Sequence, residues 1–122
     1  MARSFASIKS STFIYDFAVD GGAISAINMG TFIPQDAQLM QFGVEVITPL
    51  VAGIGATMAF GLVGRANAFK TATVYTVINS GLFGACNEAI TKLASGLQTM
   101  VTIAANTISA GKIKCTVTFI EN

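Results

Sequence analysis

Six carboxylates, two thiols and a Gly-x-Gly pair are the residues of this chain whose types could support chemistry. Two carboxyl groups held about 5 to 10 Å apart can act together on a glycosidic bond. Asp16, Asp20, Asp36, Glu45, Glu88 and Glu121 instead fall at turns or at outward positions of strand-like segments, which makes them solvated surface groups. The chain has no histidine, so a His-based triad cannot be assembled and the commonest metal ligand is missing. Cys86 and Cys115 lie far apart, without CxxC spacing. They read as reduced thiols packed as small hydrophobes; a disulfide would need their Cα atoms within about 7 Å. Gly53-Ile54-Gly55 opens like a dinucleotide fingerprint, but Met58 stands where the third glycine belongs and no βαβ pattern surrounds it. Met29, Met40, Met58 and Met100 sit on strand-like segments, where packing accounts for them. The expectation is a protein that is not an enzyme and carries no metal or cofactor.

The elements that position these residues must be built from an unusually uncharged chain. At 122 residues it is expected to form one domain with a core of its own. Apolar residues make up 52% of it and charged residues 11%, against the usual quarter. So few charges cover a small surface poorly, and either a membrane or neighbouring subunits should cover the rest. The net charge is +1 and the seven basic residues are scattered, whereas nucleic-acid binding needs a basic stripe. The segment MARSFASIKSS lacks the unbroken apolar run of a secretory signal, which implies synthesis in a reducing cytoplasm.

Residues 46–64, VITPLVAGIGATMAFGLVG, are the longest uncharged run and approach the length of a membrane span. Their periodicity is that of strands. Ile54, Ala56, Met58, Phe60 and Leu62 alternate with Gly55, Thr57, Ala59, Gly61 and Val63, large residues on one side and small on the other. Pro49 to Gly53 then reads as the corner between two neighbouring strands. The small side should let another backbone or sheet approach closely.

Elsewhere the pattern predicts strands over 12–19, 23–29, 39–48, 71–78, 97–105 and 112–120, with a short strand at 88–94 and an irregular segment at 82–87. Asp20-Gly21-Gly22 reads as a hairpin turn, because Asp-Gly supplies the positive φ of a type I′ turn. Asn106 to Gly111 reads as the joint between the last two strands. In the last strand Ile113, Cys115, Val117 and Phe119 should face inward, and Lys112, Lys114, Thr116 and Thr118 outward. The sum is an all-β chain: a single jelly-roll-like β-sandwich of about eight antiparallel strands over 12–122, preceded by a flexible arm over 1–11.

The order VDGGAISAINMG (19–30), TFIPQDAQL (31–39), GATMAFG (55–61) and ISAGKIKCTVTFI (108–120) resembles small virion β-proteins of tailed bacteriophages. These are of the head-fibre or capsid-decoration type, frequent in phages of the Bacteroidetes and crAss-like groups. The resemblance implies a non-catalytic structural subunit, homotrimeric, carried on the virion and contacting the capsid, made in the host bacterial cytoplasm. Apolar residues left outside the core would then be the oligomer or attachment interface. Phe5 and Ile8 on the arm, the outward Ile14 and Ile47, and Ala59 and Gly61 on the small side of the uncharged run are the candidates. Two alternatives remain open at this point. One is a fibre-tip or carbohydrate-binding domain that recognises a host surface glycan, with Tyr15 and Tyr75 as its amphipathic aromatics. The other is a membrane or pilin-like subunit spanning with 46–64 and 71–87.

Overall fold

The computed structural model describes residues 7–88, 93 and 95–121. It contains eight strands and two single-turn helices: β1 (Ser7–Asp16), α1 (Phe17–Asp20), β2 (Ser25–Ile33), β3 (Gln38–Ala52), β4 (Thr57–Leu62), β5 (Arg65–Val74), α2 (Tyr75–Ile78), β6 (Leu82–Ala85), β7 (Leu97–Ala104) and β8 (Ile108–Glu121). One antiparallel sheet, sheet A, has the order β1-β8-β3-β6, and the other, sheet B, the order β2-β7-β4-β5. Successive strands change sheet at every connection except β4–β5. This is the eight-stranded double-sheet jelly roll. The expected all-β sandwich is therefore what the chain forms.

The sides of the sandwich are tied across. On one, the Thr31 hydroxyl donates to the Thr12 carbonyl at 3.3 Å. On the other, Asn87 and Glu88 donate their N–H groups to the Phe69 and Ala68 carbonyls at 3.0 and 2.9 Å, carrying the chain from β6 back to β5. Between the sheets, Phe13, Phe42, Phe60 and Phe69 form an aromatic centre around Phe42, whose ring lies 5.1 Å from Phe60 and 5.4 Å from Phe69. Ile113, Cys115, Val117 and Phe119 of β8 all face this core, as their alternation predicts, and so do Met58, Phe60 and Leu62. Burial of side chains of this size stabilises by roughly 1.5–3 kcal/mol each.

Several expectations need correction. Asp20-Gly21-Gly22 is not a hairpin, because β1 and β2 belong to different sheets. The Asp16 carboxylate accepts the Ala18 N–H, the Asp20 carboxylate accepts the Asp16 N–H, and the chain coils once through α1 before crossing. β7 and β8 are likewise in different sheets, and Ala110 and Gly111 lie inside β8 rather than in a joint. The two strands of the uncharged run are not neighbours, since β3 is in sheet A and β4 in sheet B. β3 also runs through Pro49 to Ala52, and the corner is Gly53 to Gly55, so Ile54 stands on a turn at 95% exposure instead of on a packed face. Pro49 is tolerated because the β3–β8 register breaks between Thr48 and Val51, where no ladder hydrogen bond is required of its nitrogen. Residues 71–78 divide into the end of β5 and α2, and 82–85, expected to be irregular, form β6. A bulge between Leu39 and Gln41 puts Leu39 and Phe42 in the core and leaves Met40 half-buried. Residues 7–11 of the expected arm pair with β8, while residues 1–6 lie outside the described part. Most of the predicted 88–94 strand also lies outside it.

Among the described residues, one buried in the core is polar. Thr99 is wholly buried on β7 and its hydroxyl has no hydrogen-bond partner among the described residues. Leaving such a group unpaired costs about 1–3 kcal/mol. Thr99→Val exchanges that hydroxyl for a methyl of similar size and should raise the urea midpoint by the equivalent of about 1 kcal/mol. A lowered midpoint would mean that the hydroxyl is satisfied in solution.

Candidate interaction surfaces

Among the described residues no group of three potential metal ligands comes together, and no helix is long and apolar enough to cross a membrane. What the fold presents is a set of outer surfaces. The outer face of sheet A is ordered in rows by its register. Ser10, Thr118, Gln41 and Ala85 form one row; Thr12, Thr116, Gly43 and Phe83 the next; Ile14, Lys114 and Glu45 the third. Around Gly43 the missing side chain leaves a depression of about 240 Å³ beside Phe83. Another, of about 270 Å³, lies at Gly111 between Phe17 and Thr48, with the Asp16–Lys112 ion pair (3.9 Å) on its rim.

The predicted interface residues separate into two groups. Ile8 and Ile14 stand on the outer face of sheet A opposite Ile120 and Lys114, and Ile8 is 70% exposed. Six residues of strand place the two isoleucines about 20 Å apart. Ile47 is half-exposed where the β3–β8 register shifts between Val46 and Thr48, so the bulge turns it outward. Ala59 and Gly61 are buried within the single chain. The backbone that approaches Gly61 is the chain's own: a Cβ there would stand 2.4 Å from the Arg65 and Ala66 carbonyl oxygens. Phe5 lies outside the described residues.

A surface absent from the sequence-based reading is the loop end of the sandwich, where the segments 17–24, 53–56, 75–81 and 105–107 meet. It carries Val19, Ile24, Ile54 and Val77, all exposed, with Val51 beside them on β3. Two asparagines hold these loops together. The Asn79 side chain accepts the Leu50 N–H at 2.7 Å and donates to the Leu50 carbonyl at 2.9 Å, completing a strand edge beyond the reach of β6. Asn106 donates to the Ile54 carbonyl at 3.2 Å. This end of the sandwich thus carries exposed apolar residues on its loops, with the 53–56 and 75–81 segments pinned by side-chain hydrogen bonds. Sequence reasoning missed it because each residue sits alone in its own loop, and only the sandwich gathers them.

The titratable groups inside are kept neutral. Burial, with smaller contributions from Asp20 and Asp16, pushes the Tyr15 phenol up to about 12, and its hydroxyl donates to the Gly21 carbonyl. Burial pushes the Cys86 thiol up to about 11 and the Cys115 thiol further still; the two are separate buried cysteines. All three values are raised above those of the unfolded chain, so their contribution is complete below about pH 8.5, the unperturbed thiol value. It is lost as pH rises, first as unfolded thiols ionise and then, above about pH 10, as the unfolded phenol does. The guanidinium midpoint should therefore hold level between pH 7 and 8 and decline steadily toward pH 11. A midpoint unchanged across that range would show the three groups to be solvated. The Arg65–Glu88 ion pair is partly exposed and adds at most about 1 kcal/mol.

No family model matches the sequence, and no curated relative does. Among solved structures the fold is similar to a chain in the capsid asymmetric unit of cyanophage Pam1, with a TM-score of 0.73 and 17% identity, covering 100% of this chain and 91% of that one. It is similar to a chain in the acid-stable capsid structure of Helicobacter pylori bacteriophage KHP30, with a TM-score of 0.68 and 12% identity over 93% of this chain and 87% of that one. A chain from the capsid of Ralstonia phage GP4 gives a TM-score of 0.69 and 17% identity, covering 98% of this chain and 88% of that one.

Proposed function

We propose that this chain is a structural subunit of a bacteriophage virion, assembling as a homotrimer that sits on the capsid as a decoration or head-fibre component. The observation that carries the reading is the jelly-roll fold, similar over nearly its full length to chains from three phage capsid structures. The exposed apolar residues support it. Val19, Ile24 and Ile54 are exposed on loops at one end of the sandwich, and an apolar surface of that kind marks an association site. Ile8, exposed on β1 at the edge of sheet A, offers a further apolar contact to a neighbouring subunit. The reading has no catalytic step: the subunit acts by covering surface, its own apolar end against a partner and its β-edges against solvent.

The test is to locate the subunit. Cryo-electron microscopy of particles carrying it should place its density on the head, three copies around a local threefold axis. Sedimentation of the purified protein should give a trimer. A Val19→Lys/Ile54→Lys variant should remain folded and fail to join particles. A monodisperse monomer with no affinity for capsids, or normal incorporation of that variant, would overturn the reading. A fibre-tip module for host glycans is the second reading, favoured by one observation, the depression beside the exposed Phe83 that Gln41, Glu45, Thr116 and Thr118 also line.

A further inference from the structure

The centre of sheet A's outer face is an opening ringed by unlike groups. Gly43 contributes no side chain. Gln41 and Glu45 flank it along β3, Thr116 stands across from it on β8, and Phe83 across from it on β6. A Cβ at position 43 would lie 3.2 Å from Phe83 Cδ1, so the edge of the phenyl ring rests on the glycine. The rest of the ring is open, at 78% exposure. Among the described residues the side chains of Gln41, Glu45, Thr116 and the adjacent Thr118 have no hydrogen-bond or ion-pair partner. An amide, a carboxylate and two hydroxyls therefore rim a depression that is otherwise lined by apolar residues, beside a bare aromatic surface.

That combination selects a ligand class. An apolar segment of another protein would leave the carboxylate and amide buried and unpaired, at a cost. A phosphate would meet Glu45 together with Lys114 across from it, a row with no net positive charge to hold an anion. A pyranose has what fits: a face of C–H groups to lie on an aromatic ring and an edge of hydroxyls that both donate and accept. At about 240 Å³ the depression is smaller than the roughly 300–1,000 Å³ of sites that enclose a drug-sized ligand, and accommodates a single ring. The 270 Å³ depression at Gly111 lacks this character, because Asp16 and Lys112 already engage each other. We infer that the Gly43–Phe83 depression is a binding site for one neutral sugar ring of a glycan, stacked on Phe83 with its hydroxyls on Gln41, Glu45 and Thr116. This deepens the glycan reading by naming its site, and it rests on that reading alone. Capsid attachment can fail without touching it, and it can fail while attachment stands.

Saturation-transfer NMR on the full chain is the test, with maltohexaose, mannohexaose, chitohexaose and deacylated bacterial O-polysaccharide as probes at millimolar concentration. At least one is expected to receive saturation at its ring C–H protons. Phe83→Ala should weaken that binding by about tenfold, through loss of the stacking platform. Phe83→Tyr should retain it, and both should unfold at the wild-type temperature because the ring is outside the core. Three results would overturn the inference. They are no transfer to any probe, transfer that Phe83→Ala leaves unchanged, and self-association through this face that Phe83→Ala abolishes without any sugar signal.

Discussion

Gly22→Ala is expected to yield no soluble folded protein. The glycine lies where the chain crosses from β1 to β2, and its carbonyl accepts the Ile108 N–H at 2.9 Å as β8 begins. A Cβ there would stand 1.7 Å from the Ile108 carbonyl oxygen and 2.6 Å from its carbon. The two closest atoms are backbone and cannot swing aside, and the Phe17 ring edge stands 3.0 Å away beside them. The crossing and the first residues of the central strand would have to separate, losing their hydrogen bond and uncovering Tyr15 and Ile108. The loss should exceed about 4 kcal/mol, in the range reserved for broken backbone geometry and cores. Gly84→Ala is the control. It lies on the edge strand β6 with open space where its Cβ would go, and its φ is not positive. That change should alter stability by no more than about 1 kcal/mol, in the stabilising direction if the unfolded-chain entropy dominates. Expression followed by thermal unfolding of the pair gives the answer, and wild-type behaviour of Gly22→Ala would mean that the crossing is not where the fold places it.

Phe42→Ala should cost about 3–5 kcal/mol, a third or more of a typical domain's stability. Phe42 touches three other aromatic rings, at 6.4 Å to Phe13, 5.1 Å to Phe60 and 5.4 Å to Phe69. Removing it empties the middle of the core, and the two sheets, tied across both sides, have little freedom to collapse into the space. Urea unfolding should show a lower midpoint with an unchanged slope. A loss below about 1 kcal/mol would mean that the aromatic centre is not closely packed.

What was legible in the sequence follows the range of the interactions. The inward face of β8 is legible because its alternation, Ile113 to Phe119 against Lys112 to Thr118, is local and matches a strand with one buried face, whereas its start at Ile108 is not. Met58, Phe60 and Leu62 were legible for the same reason. Partnership was not. Asp20-Gly21-Gly22 carries a hairpin's local chemistry, but the carboxylates of Asp16 and Asp20 cap a helical turn that sends the chain to the opposite sheet. Pro49 looked like a corner because the bulge that excuses it is a property of β3 and β8 together. Of the expected interface, Ile8, Ile14 and Ile47 are exposed, whereas Ala59 and Gly61 are closed over by the chain itself, because small residues invite any backbone and the nearest was β5. The loop end and the Gly43 depression are sums over residues distant in sequence, and no local pattern announces them.

The strand order also sets a timetable. β8 lies between β1 and β3, so in the nascent chain both must wait, unpaired on those edges, until the last strand emerges. Only β4–β5 can zip from a local turn. Every other pairing closes a long loop first, and the entropy of that closure is lost before any contact repays it. Stopped-flow refolding should therefore fall in the millisecond-to-second range of non-local β folds rather than the microseconds of helical bundles. Faster refolding would imply that β1 and β3 find each other before β8 arrives. The place of β8 makes the sandwich a structure that cannot be assembled halfway: sheet A exists only once its final strand is in the middle.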